Sequence, residues 1–177
     1  MDDFDAQDGR RIRPGEAATP PQGAAGHAPG SRLARECLWR EHRRTRVLIA
    51  DPAGQLRRQA QPPLELAGLK VDAAHDGRRA MAMAARADYG LVLVHLGMPE
   101  AGAFELARRI RALPARRRTP LLGVCPQPSA SLRQRCGEAG FDDCIAAPFS
   151  PETLFAAALR LLRQPAPLPA AGAGPAP

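Results

Sequence analysis

Residues 91–99 read Leu91-Val92-Leu93-Val94-His95-Leu96-Gly97-Met98-Pro99, an apolar run that meets a histidine and then a turn. Four consecutive apolar residues are typical of a strand that is buried on both faces, as in parallel sheets. Gly97 and Pro99 indicate that the strand ends close to His95. Because open α/β sheets carry their functional groups at the carboxyl ends of their strands, His95 is the first candidate site residue.

Strand and helix patterns alternate on both sides of this run. The other predicted strands cover residues 46–50, 70–74, 120–125 and 143–147, and the predicted helices cover residues 54–69, 76–86, 103–112, 129–139 and 150–163. This alternation predicts a parallel sheet covered by helices on both faces. Right-handed crossovers then restrict the topology to a three-layer, doubly wound five-stranded α/β fold.

Two prolines, Pro62 and Pro63, fall inside the first of these helices. Neither has an amide hydrogen, so two consecutive helical hydrogen bonds cannot form, and an interior proline costs about 3 kcal/mol. The sequence therefore predicts a break or a kink at Pro62-Pro63.

The composition indicates one domain with an aliphatic core and flanking segments. Of the 177 residues, 45% are hydrophobic but only 4% are aromatic. We expect disordered tails at 1–30 and 164–177 and a folded domain at 45–163. Residues 31–44 are expected to form a short helix or linker, which either packs loosely on the domain or binds a partner. We expect no output domain after residue 163, because residues 164–177 are too few to fold into one.

Charge and cysteine usage limit the classes of function. The net charge of +7 leaves nucleic acid open as a partner, but the arginines are spread over several predicted helices, which favours a solvated basic surface. No apolar run approaches the roughly 20 residues that span a membrane, and the acidic start has no signal-peptide pattern. We therefore expect a cytoplasmic protein whose four cysteines are reduced thiols.

Residues 46–163 resemble the receiver domain of two-component response regulators. The resemblance rests on short motifs in family order and at family spacing, namely Val47-Leu48-Ile49-Ala50-Asp51, Asp76-Gly77, Tyr89-Gly90-Leu91-Val92-Leu93-Val94, Met98-Pro99-Glu100, Glu105-Leu106, Ala139-Gly140-Phe141-Asp142-Asp143 and Pro148-Phe149-Ser150-Pro151-Glu152-Thr153-Leu154. It implies a flavodoxin-like (CheY-like) sheet of order 2-1-3-4-5 and a cis Ala147–Pro148 bond.

The positions of the family's phosphorylation site carry different residues in this chain. Two adjacent acids, the phosphoacceptor Asp, a Thr or Ser, a Lys and an aromatic switch residue correspond here to Asp51 and Pro52, His95, Cys125, Ala147 and Cys144. Mg²⁺ requires several oxygen ligands, and acyl phosphate formation requires a carboxylate nucleophile with a cation nearby. The resemblance therefore implies a degenerate site, a pseudo-receiver, that uses no cofactor.

Several interpretations of the substituted residues remain open. His95 could be a phosphorylated histidine, a metal ligand or a structural histidine paired with Asp51, and the last is favoured. His95, Cys125 and Cys144 could form a metal or redox sensor, although the two cysteines are favoured as small buried hydrophobic residues. Asp51, His95 and Cys125 have the residue types of a nucleophilic triad, but no oxyanion or substrate-pocket signal accompanies them. We therefore expect neither an enzyme nor a small-molecule substrate.

The function expected from the resemblance is that of a phosphorylation-independent adaptor or regulator in two-component signalling. The family's usual contact surface corresponds to residues 129–163. We expect a protein partner there, which includes the case of a homodimer.

Overall fold

Strands and helices alternate along residues 29–98 and 102–164, which are the residues described in this computed structural model. The strands are β1 (Arg46–Ala50), β2 (Lys70–Ala74), β3 (Leu91–His95), β4 (Leu121–Cys125) and β5 (Asp143–Ala146). The helices are α1 (Pro29–His42), α2 (Gln55–Leu66), α3 (Gly77–Arg86), α4 (Gly102–Ala112), α5 (Ala130–Ala139) and α6 (Pro151–Arg163). The predicted tails lie outside the described residues, apart from Pro29, Gly30 and Gln164, and the division into domains stays a prediction.

The five strands form one parallel sheet in the order β2-β1-β3-β4-β5, which confirms the predicted topology. Alternate side chains of the central strand enter two cores. Leu91 and Leu93 pack with α1, α2 and α6, whereas Val92 and Val94 pack with α3, α4 and α5. The predicted burial of this strand on both faces is therefore confirmed.

Helix α2 runs unbroken from Gln55 to Leu66 through both prolines, so the predicted break is wrong. The carbonyls that lose their helical donors belong to Arg58 and Gln59, four residues before Pro62 and Pro63. Both residues are exposed, so water can bond these carbonyls. The apolar face of the helix, formed by Leu56, Ala60 and Leu64, is buried and holds the helix on the sheet.

Helix α1 belongs to the core, so the expected loose packing of residues 31–44 is wrong. Leu38 is fully buried, and Ala34 lies one turn before it on the same face. At the far end of the helix, the Arg163 Nε donates a 2.8 Å hydrogen bond to the Glu41 carboxylate, which lowers the pKa of Glu41. The spacing of Leu33, Cys37 and Leu38 predicted a helix, but the sequence did not indicate that this helix packs against α6.

Two further features concern the backbone. The Ala147–Pro148 peptide bond is cis, as the resemblance implied. Among the described residues, no helix is both long enough and apolar enough to cross a bilayer.

Candidate functional site

The carboxyl edge of the sheet brings four of the candidate residues to the ends of neighbouring strands. Asp51 follows β1, His95 ends β3, Cys125 ends β4 and Ala147 follows β5. The fifth, Pro52, follows Asp51 and lies at the rim of a separate cavity of about 530 Å³. The residues therefore share an edge, and His95 and Ala147 line one cavity of about 400 Å³, whereas Pro52 lines the other.

Asp51 caps the helix that follows it. Its carboxylate is only 2% exposed, and its two oxygens accept hydrogen bonds from the amides of Ala53 (3.2 Å) and Arg57 (3.1 Å). The N-cap of α2 is Gly54, in a left-handed conformation (φ 72°), and glycine has no side chain to cap the first turn. Asp51 supplies that oxygen instead, at the positive end of the helix dipole. Among the described residues, the carboxylate that follows β1 at this edge therefore serves as a helix cap.

His95 lies on the α2 side of the sheet. It follows Leu91 and Leu93 in the strand alternation and lines a cavity of about 400 Å³ with Leu56, Arg58 and Val124. No hydrogen bond joins His95 to Asp51, so the favoured pairing of these residues is wrong. The Asp51 oxygens are instead directed at the backbone amides of Ala53 and Arg57.

Cys125 and Cys144 lie in the opposite core. Their sulfur atoms are 3.6 Å apart, and Cys136 of α5 lies beside them in the same buried cluster. The structure therefore does not bring His95 together with these thiols. No group of three or more His, Cys, Asp and Glu side chains within the described ranges is arranged to hold a metal ion. Cys136 was missed from the sequence, although its spacing from the buried Ala139 places it on the inner face of α5.

Burial also makes these thiols poor nucleophiles. It raises the pKa of Cys136 and of Cys144, and the neighbouring Cys125 thiol raises the pKa of Cys144 further. The thiolate is the reactive form, so little of it is present at neutral pH. This environment favours the interpretation of Cys125 and Cys144 as small space-filling residues.

Iodoacetamide at pH 8 is expected to alkylate Cys37 first and to leave Cys125, Cys136 and Cys144 unmodified in the native protein. Cys37 is half-buried, whereas the other three are 3–6% exposed. Peptide mass spectrometry after a short incubation measures the four sites separately, and the same reaction in denaturant should label all four. Rapid native labelling of Cys125 or Cys144 would instead support the redox-sensor interpretation.

The cavity next to Pro52 carries two carboxylates, and both have partners. The Asp76 carboxylate accepts a 2.7 Å hydrogen bond from the Arg79 amide and thereby caps the N-terminus of α3. Glu105 accepts a hydrogen bond from the Arg109 Nε (2.8 Å), which lowers the pKa of Glu105. This arrangement supplies a polar rim to the cavity.

Residues 129–163 form the side of the domain that contains α5, β5 and α6. β5 is an edge strand of the sheet, so one of its backbone edges has no neighbouring strand. Arg160 contacts Asp143 across this surface, and the Arg135 guanidinium lies 4.8 Å from the centre of the Phe104 ring. Arg133 is exposed on α5.

Comparison with known proteins agrees with this architecture. The family model of the response regulator receiver domain matches residues 47–159. The chain is 33% identical over 120 residues to the transcriptional regulatory protein ResD of Bacillus subtilis, an alignment that covers 68% of this chain and 49% of ResD. It is 34% identical over 145 residues to the virulence sensor protein BvgS of Bordetella bronchiseptica, which covers 77% of this chain and 11% of BvgS.

A solved structure gives the same result. The chemotaxis response regulator CheY4 of Vibrio cholerae superposes with a TM-score of 0.63 at 29% identity, over 67% of this chain and 98% of CheY4. The chain thus spans about half or less of the length of these curated relatives, and its match covers nearly all of the solved CheY4 chain. On this fold, this strand order and these matches, the chain belongs to the response regulator receiver domain family of two-component signalling.

Proposed function

We propose that this protein is a degenerate receiver, a pseudo-receiver that acts as a protein-interaction adaptor and whose binding does not depend on phosphorylation. Receiver domains interact with other proteins in signalling. In this proposal the protein retains that role but has no phosphoryl switch. It is supported by the chemistry of the strand ends and by the surface at residues 129–163.

The state of Asp51 carries the proposal. A receiver that accepts phosphate needs oxygen ligands for Mg²⁺, a carboxylate nucleophile and a cation for the transferred group. Here both Asp51 oxygens accept amide hydrogen bonds at the start of α2, Pro52 offers no side-chain oxygen, and His95 carries an imidazole in place of the nucleophilic carboxylate. Ala147 supplies no charge. These residues do not provide the groups that phosphoryl transfer needs.

The switch position points in the same direction. Cys144, where the family has an aromatic residue, is 6% exposed and packs against Cys125. A small buried side chain has no exposed alternative position that could report a change at the strand ends to the surface. Binding at residues 129–163 is therefore expected to be constitutive.

The other functions considered have less support. The metal or redox sensor would require His95 and the thiols on one side of the sheet, and they lie on opposite sides. Nucleic-acid binding would use exposed arginines, but several of them are paired with carboxylates, namely Arg46, Arg109, Arg160 and Arg163. Such pairing reduces the positive field available to a phosphate backbone.

Capture of partners on the immobilised full chain tests the adaptor role. We expect a partner to be recovered equally with and without acetyl phosphate and Mg²⁺. Arg133→Glu, on the exposed face of α5, should lower recovery at least about fivefold, which corresponds to ~1 kcal/mol of binding free energy. Arg118→Glu is the matched control, because this arginine is equally exposed but lies in the loop before β4.

Two outcomes would contradict the proposal. One is recovery that requires acetyl phosphate, which would restore a role for phosphorylation. The other is an equal loss with Arg133→Glu and Arg118→Glu, which would place the contact outside residues 129–163.

A further inference from the structure

A groove with apolar walls and a positive rim runs along α1 and is open to solvent. We call it the α1–α2 groove. Its apolar walls include Trp39, Leu66 and Pro63, and its cations are Arg32, Arg35 and Arg40. Trp39 is 50% exposed and Leu66 is 65% exposed, which makes them two of the three large hydrophobic side chains exposed in the described part of the chain. Adjacent exposed apolar side chains commonly mark an interaction site.

The indole of Trp39 is held in place although half of it faces solvent. Its edge packs on Gly68, where an added Cβ atom would lie 2.6 Å from the Trp39 Cε3 atom. The Arg43 guanidinium lies 5.9 Å from the centre of the Trp39 ring. A fixed aromatic wall offers contact area without the loss of side-chain freedom that a mobile residue would suffer on binding.

The charge of the groove selects an acidic occupant. Against its three arginines stand two carboxylates, Glu36 and Glu152, and Arg43 adds another cation beside Trp39. The excess is therefore positive. An occupant that complements both properties carries several carboxylates around one large apolar side chain.

The chain contains such a segment at residues 2–8, outside the described structure. This segment reads Asp2-Asp3-Phe4-Asp5-Ala6-Gln7-Asp8, with four carboxylates, one aromatic ring and no basic residue. Residues 9–28 link it to Pro29, where α1 begins, and Arg32 lines the groove one turn later. Twenty residues can span at most about 70 Å and α1 is about 21 Å long, so the chain is long enough for residues 2–8 to reach any part of the groove.

We propose that residues 2–8 occupy the α1–α2 groove of the same molecule, with Phe4 against Trp39 and Leu66 and the aspartates on the arginine rim. Because the segment and the groove belong to one chain, their contact is intramolecular, so a weak contact is sufficient to fill the groove. A protein partner that uses this groove must then displace the segment.

Fluorescence of Trp39 tests this directly, because it is the only tryptophan of the chain. Phe4→Ala, or Asn at positions 2, 3, 5 and 8, should raise the acrylamide quenching constant of Trp39 about twofold, since docking would cover the exposed half of the indole. Raising the salt concentration should have the same effect on the natural chain. Leu66→Ser should also raise quenching, whereas Leu33→Ser is the matched control, an exposed leucine of α1 that does not line the groove.

A synthetic peptide of residues 2–8, added at millimolar concentration to the Phe4→Ala chain, should restore the protection of Trp39. Equal quenching of the natural and Phe4→Ala chains would overturn the proposal. Protection that increases with protein concentration and is the same in both chains would also overturn it, because the occupant would then be a second copy. Loss of protection in Leu33→Ser as large as in Leu66→Ser would mean that the effect does not arise in the groove.

Discussion

Replacing Arg111 by methionine is expected to lower the free energy of unfolding by about 3 kcal/mol. The Arg111 guanidinium links the end of α4 to the start of β4 and to the loop before β5. It donates to the backbone carbonyls of Gly140 (2.8 Å) and Thr119 (2.6 Å) and to the carboxylate of Asp142 (2.6 Å). Asp142 in turn accepts a 2.7 Å hydrogen bond from the Leu121 amide. Losing the Arg111–Asp142 contact therefore also affects the first residue of β4. Methionine keeps the packing volume and removes every donor.

Arg108→Met on the same helix is the control. Its side chain is 61% exposed and lies 3.7 Å from Glu105, a surface pair that should contribute less than about 1 kcal/mol. Urea unfolding of both variants measures the difference. If Arg111→Met loses no more stability than Arg108→Met, the guanidinium is solvated in both states and the network described above contributes little.

Returning the carboxylate alone, by His95→Asp, is expected to leave phosphoryl incorporation at least about 100-fold below that of the variant Pro52→Asp/His95→Asp/Cys125→Thr/Ala147→Lys. Pro52 would still deny Mg²⁺ an oxygen ligand, and Ala147 would still provide no cation for the developing charge. The new carboxylate would also stand near Asp51 without the metal or lysine that offsets their repulsion. Reduced stability of the single variant is the secondary expectation.

Both variants should be compared under the same acetyl phosphate and Mg²⁺ conditions, with their folding checked by circular dichroism. Equal incorporation by the single and the fourfold variant would mean that His95 alone separates this chain from a phosphorylatable receiver. In that case Pro52, Cys125 and Ala147 would not prevent phosphorylation. Only the substitution at His95 would then make the site degenerate.

The sheet was predictable because its signals are local. Apolar runs such as Leu91–Val94 are long enough to identify buried strands, and the turn residues after them set the ends. The capping pattern Ser150-Pro151 likewise placed the start of α6 correctly, since Ser150 accepts the Thr153 amide. These features depend on the chain within a few residues of each position.

The errors arose where several segments meet. The prolines of α2 are tolerated because the packing of Leu64 and the hydration of exposed carbonyls outweigh the local preference, which sequence alone cannot weigh. The His95–Asp51 pair was expected from their neighbouring strands, but the Asp51 oxygens bond the amides of Ala53 and Arg57 at the start of α2 instead. The link from Arg111 to Asp142 spans 31 residues and has no periodic signal.

Intact mass spectrometry of the natural chain after incubation with acetyl phosphate and Mg²⁺ is the most direct test of the proposed degenerate site. We expect no mass increase, because Asp51 is engaged as a helix cap and Pro52, His95 and Ala147 provide no metal ligand, carboxylate or cation. The fourfold variant above serves as the positive control for the reagent. A stable gain of one phosphoryl group by the natural chain would contradict the account.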